Sequence, residues 1–143
     1  MLKELPERQY ILYADDDMDD HAIVKEGFRE YASLIDIIVL ENGIEALNYL
    51  TALNADSPDP CLIMLDINMP FMNGREALKK IRELERFKRT PIVLFSTSSS
   101  LKDRECAASY GAGFITKPLE ASQIRVIVEQ LMECCSGAVK QHQ

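Results

Sequence analysis

The stretch that most constrains this chain runs from Cys61 to Gly74, where a buried-strand pattern ends abruptly in a carboxylate. Four consecutive apolar residues, Leu62 to Leu65, are typical of a strand buried on both faces of a parallel sheet. The run stops at Asp66, and Pro70 excludes continuation of a central strand. The Asn73-Gly74 pair then predicts a turn before a helix. We therefore expect Asp66 at the carboxyl end of a central strand, the edge where open α/β sheets bind ligands.

The rest of the chain alternates short apolar runs with segments of helical periodicity. Strands are predicted at 10–14, 35–40, 62–65, 92–95 and 114–116, and each is followed by apolar residues at helical spacing. Five such alternations predict an α/β fold, a doubly wound five-stranded parallel sheet with helices on both faces. The 143 residues contain no linker or repeat, so we expect one domain, with a core at about 9–134 and a frayed tail at 135–143.

The charge balance narrows the class of partner. The chain has 16 basic and 23 acidic residues, a net charge of −7. Nucleic acids and anionic membranes bind basic surfaces, so we expect neither as a partner. The N-terminus is charged, and no apolar run reaches the roughly 18 residues of a membrane span. A reducing cytoplasm is the expected location.

The four cysteines lack the spacing of a metal site. No Cys-x-x-Cys motif is present and the chain has only two histidines, which argues against zinc. Cys61 and Cys106 lie in apolar segments and are interpreted as small core residues. The adjacent Cys134 and Cys135 are interpreted as free thiols.

Polar side chains follow four of the five predicted strands. They are Asp15, Asp16 and Asp17 after the first strand, Asp66 after the third, Ser96 and Thr97 after the fourth, and Lys117 after the fifth. Because the carboxyl ends of parallel strands share one edge, carboxylates, a hydroxyl and an ammonium should face one crevice. Clustered carboxylate oxygens suit Mg²⁺. A lysine and a hydroxyl beside that metal would neutralise and hydrogen-bond a phosphoryl group.

Taken in order, these motifs resemble the receiver domain of two-component response regulators. The resemblance rests on the acidic pair, the Asp-x-x-Met-Pro-x-x-x-Gly block from Asp66 to Gly74, the hydroxyl five residues after Pro91, and Lys117-Pro118. It extends from Tyr10 to about Met132 and implies a flavodoxin-like sheet, as in the chemotaxis regulator. The block and the long connection before Cys61 are similar to small stand-alone regulators of phytochrome-type kinases.

The resemblance implies roles for individual residues at the acidic edge. Asp66 would be the phosphoacceptor, attacking the phosphohistidine of a sensor histidine kinase or a phosphotransfer protein. Asp16 and Asp66 would bind Mg²⁺ directly, Asp15 would act through water, and the backbone carbonyl of Asn68 would complete the shell. Ser96 would hydrogen-bond the phosphoryl group.

Further roles implied by the resemblance concern the phosphorylated state and its output. Lys117 would pair with the phosphoryl oxygens, and Phe114 would be an aromatic switch residue. Asn68 and Ser98 would tune hydrolysis of the aspartyl phosphate. The chain would assist its own phosphorylation and dephosphorylation without being an enzyme on external substrates. We expect it to have no DNA-binding output segment and to signal to an unknown downstream protein through the surface from Cys106 to Glu133.

Simpler roles for the same residues are compatible with the sequence. Asp15 and Asp16 could cap the first helix, although five carboxylates in six positions repel one another and a cation would relieve that repulsion. Lys117 could be a solvated surface residue, Thr97 could replace Ser96 in a shifted register, and Phe114 could be plain core. Gly74 is expected to serve the backbone turn. The residues expected to face solvent are Asp17, Asp19, Asp20 and His21.

Three other kinds of protein share part of this pattern. Asp15, Asp17, Asp19 and Glu26 have the spacing of a calcium-binding EF-hand loop, but Asp20 stands where the loop needs glycine and a strand precedes it. Haloacid-dehalogenase-type phosphatases also use a strand-end aspartate with Mg²⁺, yet they carry a second aspartate where this chain has Asn68. A receiver-fold binding module that is not phosphorylated is the third alternative.

Overall fold

The structure is a computed structural model that describes residues 8–97, 100–117 and 121–140, with the backbone alone for 136–140. Within these residues five strands and five α-helices alternate, and the strands form one parallel sheet in the order β2-β1-β3-β4-β5. This confirms the predicted fold class. The elements are β1 (Gln9–Ala14), α1 (Met18–Gly27), β2 (Ile35–Leu40), α2 (Gly43–Thr51), β3 (Leu62–Asp66), α3 (Gly74–Arg82), β4 (Ile92–Ser96), α4 (Leu101–Ser109), β5 (Gly113–Thr116) and α5 (Ala121–Lys140).

Strand β3 occupies the centre of the sheet, as its unbroken apolar run predicts. All five of its residues are buried, and it pairs with β1 on one side and β4 on the other. The register places Ala14 opposite Leu65 and Asp66 opposite Phe95. The residues that follow β1 and end β4 therefore lie level with Asp66, at one edge.

The helices cover the two faces of the sheet in unequal numbers. Helices α1 and α5 pack on one face, where Val24, Phe28, Ile124 and Val128 meet inward side chains such as Tyr13 and Met64. Helices α2, α3 and α4 cover the other face. Burial of these two apolar layers supplies the main favourable term in folding. The residues of the second layer include Ala46, Leu50, Ala77, Leu78, Ile81 and Ala107.

Local capping explains where the helices begin. Asp17 accepts hydrogen bonds from the amides of Asp19 and Asp20, which fixes the first turn of α1. Asn73 and Glu76 form a reciprocal capping box at the start of α3. These caps hold the two helices directly after the strand ends that carry the acidic residues.

Helix α3 ends at Arg82, and an irregular segment follows it. Leu84 adopts an extended backbone and the chain continues in a 3-10 turn, Glu85–Phe87, which buries Phe87. The Arg82 side chain donates hydrogen bonds to carbonyl oxygens of Phe87 and Thr90, 2.8 and 2.7 Å away. The backbone carbonyl groups of this irregular segment thus receive their hydrogen bonds from a side chain and not from a further helical turn.

The cysteine assignments need correction. Cys61, directly before β3, forms a disulfide with Cys135 in α5, and their Cα atoms are 4.9 Å apart. Cys61 was expected as a small core residue and Cys135 as a free thiol. The 74 residues between them hide the pairing from any local pattern, because only the packing of α5 beside β3 brings them together.

The chain end also differs from expectation. Helix α5 continues to Lys140, so residues 135–140 are helical and Cys135 belongs to the core. Residues 141–143 lie outside the described part. Among the described residues, no helix has the length and apolar character needed to cross a membrane.

Candidate functional site

Asp15 lies directly after β1 and is completely buried. Its carboxylate accepts a hydrogen bond from the Tyr13 hydroxyl at 2.6 Å and another from the Asp17 amide at 3.0 Å. A buried carboxylate needs such partners because desolvation disfavours its charge. Burial, with the hydrogen bond to Asp15, also raises the pKa of the Tyr13 phenol above its usual range. Asp15 is thus built into the core side of the crevice.

Asp16 and Asp66 complete a three-carboxylate group with Asp15. One carboxylate oxygen from each residue lies within 4.8 Å of the others, and Asp16 is the exposed member. Three hard oxygen donors, two of them buried and one open to solvent, suit a divalent cation that keeps part of its water shell. The predicted ligands from two different strand ends therefore meet in space. Asn68, the fourth predicted ligand, lies two residues beyond Asp66 with its side chain exposed.

Asp66 ends β3 with only 5% of its surface exposed. Burial and the neighbouring Asp15 carboxylate raise the pKa of Asp66 to about 7, against a lowering effect of Lys117. Clustered acids and burial both disfavour the ionised form, so the site favours added positive charge. Perturbed carboxyl groups of this kind are concentrated at functional sites.

Lys117 follows β5 and lies among three acids. Its ammonium nitrogen is 2.8 Å from Asp15 Oδ2, 2.6 Å from Asp20 Oδ2 and 3.4 Å from Asp66 Oδ1. Burial lowers the pKa of Lys117, but the hydrogen bonds to Asp15 and Asp20 outweigh it and hold the pKa above its usual range. The interpretation of Lys117 as a solvated surface residue is therefore wrong.

Asp20 is a site residue that the sequence analysis assigned to solvent. It lies three residues after the N-cap Asp17, so the first turn of α1 points its carboxylate at Lys117. In the sequence, only this spacing from the cap could have indicated that Asp20 faces the site. His21 was also expected at the surface, but it is partly buried and its ring contacts the Asp15 carbonyl oxygen.

The remaining predicted residues lie at the same edge or beside it. Ser96 is completely buried at the end of β4, and its carbonyl accepts the Lys117 amide at 2.8 Å. Thr97 is exposed. Phe114 is half-buried in β5, with the Arg104 guanidinium 5.0 Å above its ring. Ser98, a predicted tuning residue, lies outside the described residues.

The doubly wound sheet, with three carboxylates, a buried lysine and a buried serine at one edge, places the chain among α/β domains that carry a polar crevice at the carboxyl ends of their strands. The model of the response regulator receiver domain matches residues 11–129. The chain belongs to this family. It is therefore a receiver domain of the two-component systems, as the resemblance implied.

Individual relatives agree with this assignment over most of their length. The two-component response regulator ARR17 of Arabidopsis thaliana is 30% identical over 143 residues, which cover 94% of this chain and 92% of the relative. The solved structure of the phosphorylated cyanobacterial phytochrome response regulator RcpA has a TM-score of 0.80 at 29% identity, covering 89% of this chain and 93% of its own.

A second solved structure bears on the metal site of the relatives. The Mn²⁺-bound form of response regulator Rcp1 has a TM-score of 0.77 at 27% identity, covering 87% of this chain and 92% of its own. Rcp1 from Synechocystis is itself 34% identical over 95 residues, 65% of each chain. The acidic group of the present chain is thus found in a fold whose relatives include a metal-bound member.

Proposed function

We propose that this receiver domain accepts a phosphoryl group on Asp66 from a histidine-phosphorylated protein, within a two-component phosphorelay. The observation that carries the proposal is the burial of Asp66 beside a lysine and two further carboxylates at one sheet edge. A carboxylate nucleophile needs positive charge nearby to stabilise the transferring group. At this edge the Lys117 ammonium supplies one such charge, and the three carboxylates could bind a cation that adds more. That RcpA is described as phosphorylated and as a phytochrome regulator supports the donor class.

Asp15, Asp16 and Asp66 are the residues that would hold Mg²⁺, with the Asn68 carbonyl as a further oxygen donor. Their three oxygens within 4.8 Å fit a hard cation, and a Mn²⁺-bound form is known for Rcp1. When bound, the ion would neutralise the clustered carboxylates and the charge on the phosphoryl oxygens. Asp15 is the innermost of the three and keeps its hydrogen bonds to Tyr13 and the Asp17 amide.

In the transfer, an oxygen of Asp66 forms a bond to phosphorus while the bond from phosphorus to the donor imidazole breaks. Lys117 would exchange part of its contact with Asp66 for the arriving phosphoryl oxygens, since its ammonium is already 3.4 Å from the acceptor. Ser96, at the same edge, would donate a hydrogen bond from its hydroxyl. Both stabilise charge that increases during transfer.

The output steps are part of the same proposal. Phosphorylation would draw Ser96 and Lys117 toward Asp66, and Phe114 would turn inward as the serine moves. This would change the surface from Cys106 to Glu133, which is where we place a downstream protein partner. Asn68 and Ser98 would set the lifetime of the aspartyl phosphate. The acidic net charge of −7 favours a protein partner over a nucleic acid.

The direct test is the intact mass of the protein after incubation with Mg²⁺ and a small acyl phosphate. We expect a mass gain of one phosphoryl group in the wild type, none in Asp66→Asn, and none when a chelator removes the divalent ion. Asp56→Asn, in an exposed loop, is the matched control and should gain the group as the wild type does.

Two results would contradict the proposal. A gain that persists in Asp66→Asn would assign the phosphoryl group to another residue. A wild type that gains no mass from acyl phosphates or from autophosphorylated histidine kinases would favour a receiver-fold binding module instead.

A further inference from the structure

Helices α3 and α4 pack side by side and leave an open cleft of about 650 Å³ between them. A cleft of this volume lies within the size range of pockets that hold small organic ligands. It is separate from the acidic edge, because Lys117 and the three carboxylates Asp15, Asp16 and Asp66 do not line it. The proposed phosphoryl transfer therefore does not explain the side chains that line this α3–α4 cleft.

Three cationic side chains line the α3–α4 cleft: Arg75, Lys79 and Lys102. Arg75 and Lys102 lie in the first turns of α3 and α4, and Lys79 lies about one turn further along α3. Both lysines are exposed, and neither forms an ion pair with another described residue. Two acids, Glu76 and Glu105, also line the cleft. Cations thus outnumber acids here, although the whole chain has a net charge of −7.

Arg75 lacks an acceptor for part of its guanidinium group. Its Nε atom is buried, and among the described residues it is the only buried side-chain nitrogen or oxygen without a hydrogen-bond partner. The ion-pair partner, Asp103 Oδ1, is 3.6 Å away, which is too long for a hydrogen bond. Buried polar groups are normally paired, so this nitrogen indicates a missing acceptor. Phosphate and carboxylate oxygens are the acceptors that a guanidinium group binds most strongly.

The other end of the α3–α4 cleft has a different chemistry. Tyr110 follows the last residue of α4 and is half-buried, with Cys106 and Ser109 on the same wall of the cleft. Lys102 and Tyr110 are separated by about 12 Å of helix, at the usual rise per residue. An aromatic side chain at this distance can pack against a planar ring, while Glu105 and Ser109 can accept hydrogen bonds from hydroxyl groups. The cleft therefore suits a ligand with an anionic group at one end and a ring at the other.

We propose that the α3–α4 cleft binds a nucleoside monophosphate. The phosphate lies against Arg75, Lys79 and Lys102, the ribose hydroxyls lie toward Glu105, and the base packs against Tyr110. Every base has a face that can stack on an aromatic side chain, so the cleft accepts purines and pyrimidines alike. This site is independent of the phosphoacceptor, because none of its residues takes part in the proposed transfer.

Equilibrium dialysis with adenosine 5′-monophosphate and with uridine 5′-monophosphate tests the proposal, in a chelator that removes divalent ions from the acidic edge. We expect both nucleotides to bind the wild type. Lys79→Gln and Lys102→Gln should each raise Kd about fivefold or more, because each removes a charged contact to the phosphate. Lys80→Gln is the matched control, since Lys80 is exposed on the same helix but does not line the cleft. Its Kd should stay within about twofold of the wild type.

The two free thiols of the chain show where the nucleotide binds. Cys106 lines the cleft, whereas Cys134 lies in α5 outside it. In a Cys134→Ser background, alkylation of Cys106 by a neutral maleimide should slow as the nucleotide concentration passes Kd, because the bound nucleotide covers the thiol. In the reciprocal Cys106→Ser background, the nucleotide should leave alkylation of Cys134 unchanged.

Several results would overturn the cleft as a nucleotide site. They are the absence of binding by both nucleotides, an unchanged Kd in both Lys79→Gln and Lys102→Gln, and equal protection of Cys106 and Cys134. Inorganic phosphate or adenosine that bound as tightly as the nucleotide would also overturn it, because only one end of the cleft would then contribute. Acyl phosphate labelling of Asp66 does not depend on any of these results, so the proposed function stands or fails separately.

Discussion

Lys117 is the residue that balances the charge of the acidic edge. Its ammonium contacts carboxylates from three places in the chain: the end of β1, the first turn of α1 and the end of β3. With 7% of its surface exposed, it cannot exchange these contacts for water. The ammonium that would bind a phosphoryl oxygen thus offsets the repulsion among these acids before phosphorylation.

We therefore expect Lys117→Ala to destabilise the metal-free protein by about 3 kcal/mol or more, because it leaves buried carboxylates without a counter-charge. Urea unfolding in the presence of a chelator measures the effect, and Mg²⁺ should restore part of the loss. Lys25→Ala, on the exposed side of α1, is the control and should change stability by less than about 0.5 kcal/mol. A loss in Lys117→Ala no larger than in the control would contradict this account.

The raised pKa of Asp66 makes stability depend on pH. The folded state binds the Asp66 proton more tightly than the unfolded state does, since the pKa rises from 3.8 to about 7. The stabilisation from this proton is therefore complete below about pH 4 and is lost as the pH rises to about 7. Above that range the wild type carries a buried charge that is only partly compensated by Lys117.

Asp66→Asn should consequently be more stable than the wild type at pH 8 without divalent metal, by about 1–3 kcal/mol, since one pKa unit is worth about 1.4 kcal/mol. The difference should disappear near pH 4. Unfolding by urea across this range measures it, with Asp56→Asn as a control for an exposed carboxylate. A stability difference that grows toward low pH would show that folding lowers the pKa of Asp66 and does not raise it.

At the scale of elements, the junction of β3 and α3 determines the position of the phosphoacceptor candidate. Gly74 begins α3, its amide donates to the Ile67 carbonyl at 2.9 Å, and its α-carbon faces the backbone of Asp66. A Cβ at this position would overlap the carbonyl oxygen of Asp66. The glycine at this predicted turn therefore allows the two backbone segments to approach closely.

Gly74→Ala should therefore destabilise the fold by about 1–3 kcal/mol through overpacking and should also slow acyl phosphate labelling, because Asp66 must move. Gly113→Ala is the matched control: its added Cβ would meet a Val93 methyl group at an ordinary 3.4 Å. Thermal unfolding and the intact-mass assay test the pair. Equal effects of the two substitutions would argue against a special role for the β3–α3 junction.

At the scale of the whole molecule, the disulfide ties the central strand to the last helix. Cys61 precedes β3 and Cys135 lies in the second half of α5, so the bridge closes a loop that contains β3, β4 and β5. In the chain-entropy description, closing a long loop restricts the unfolded state and stabilises the folded one. The cytoplasmic location expected from the sequence remains a prediction.

Reduction should lower the free energy of unfolding by about 2–4 kcal/mol without changing the fold. Urea unfolding with and without a thiol reductant measures the loss, and thiol alkylation followed by mass measurement counts the bridged cysteines. Cys134→Ala, which removes the adjacent free thiol, should keep the sensitivity to reductant. A wild type whose stability does not respond to the reductant would contradict a stabilising bridge.

Local sequence was sufficient for the alternation of elements and for the edge at which the polar residues meet. Strand β2 occupies 35–40 as predicted, and each of the other four strands extends one residue beyond its predicted range. Strand length, helix caps and breakers such as Pro70 depend on near neighbours in the chain. The shared edge follows from the parallel topology, which is why Asp66 and Lys117 could be placed together in advance.

Tertiary packing alone decided the Cys61–Cys135 bridge, the Asp20–Lys117 ion pair and the strained backbone of Phe71. The first two join residues 74 and 97 positions apart, and their geometry depends on which helix packs beside which strand. The third depends on how the β3–α3 loop closes against α3. Periodicity records which side of an element is apolar, whereas such contacts arise only when several elements are packed at their final distances.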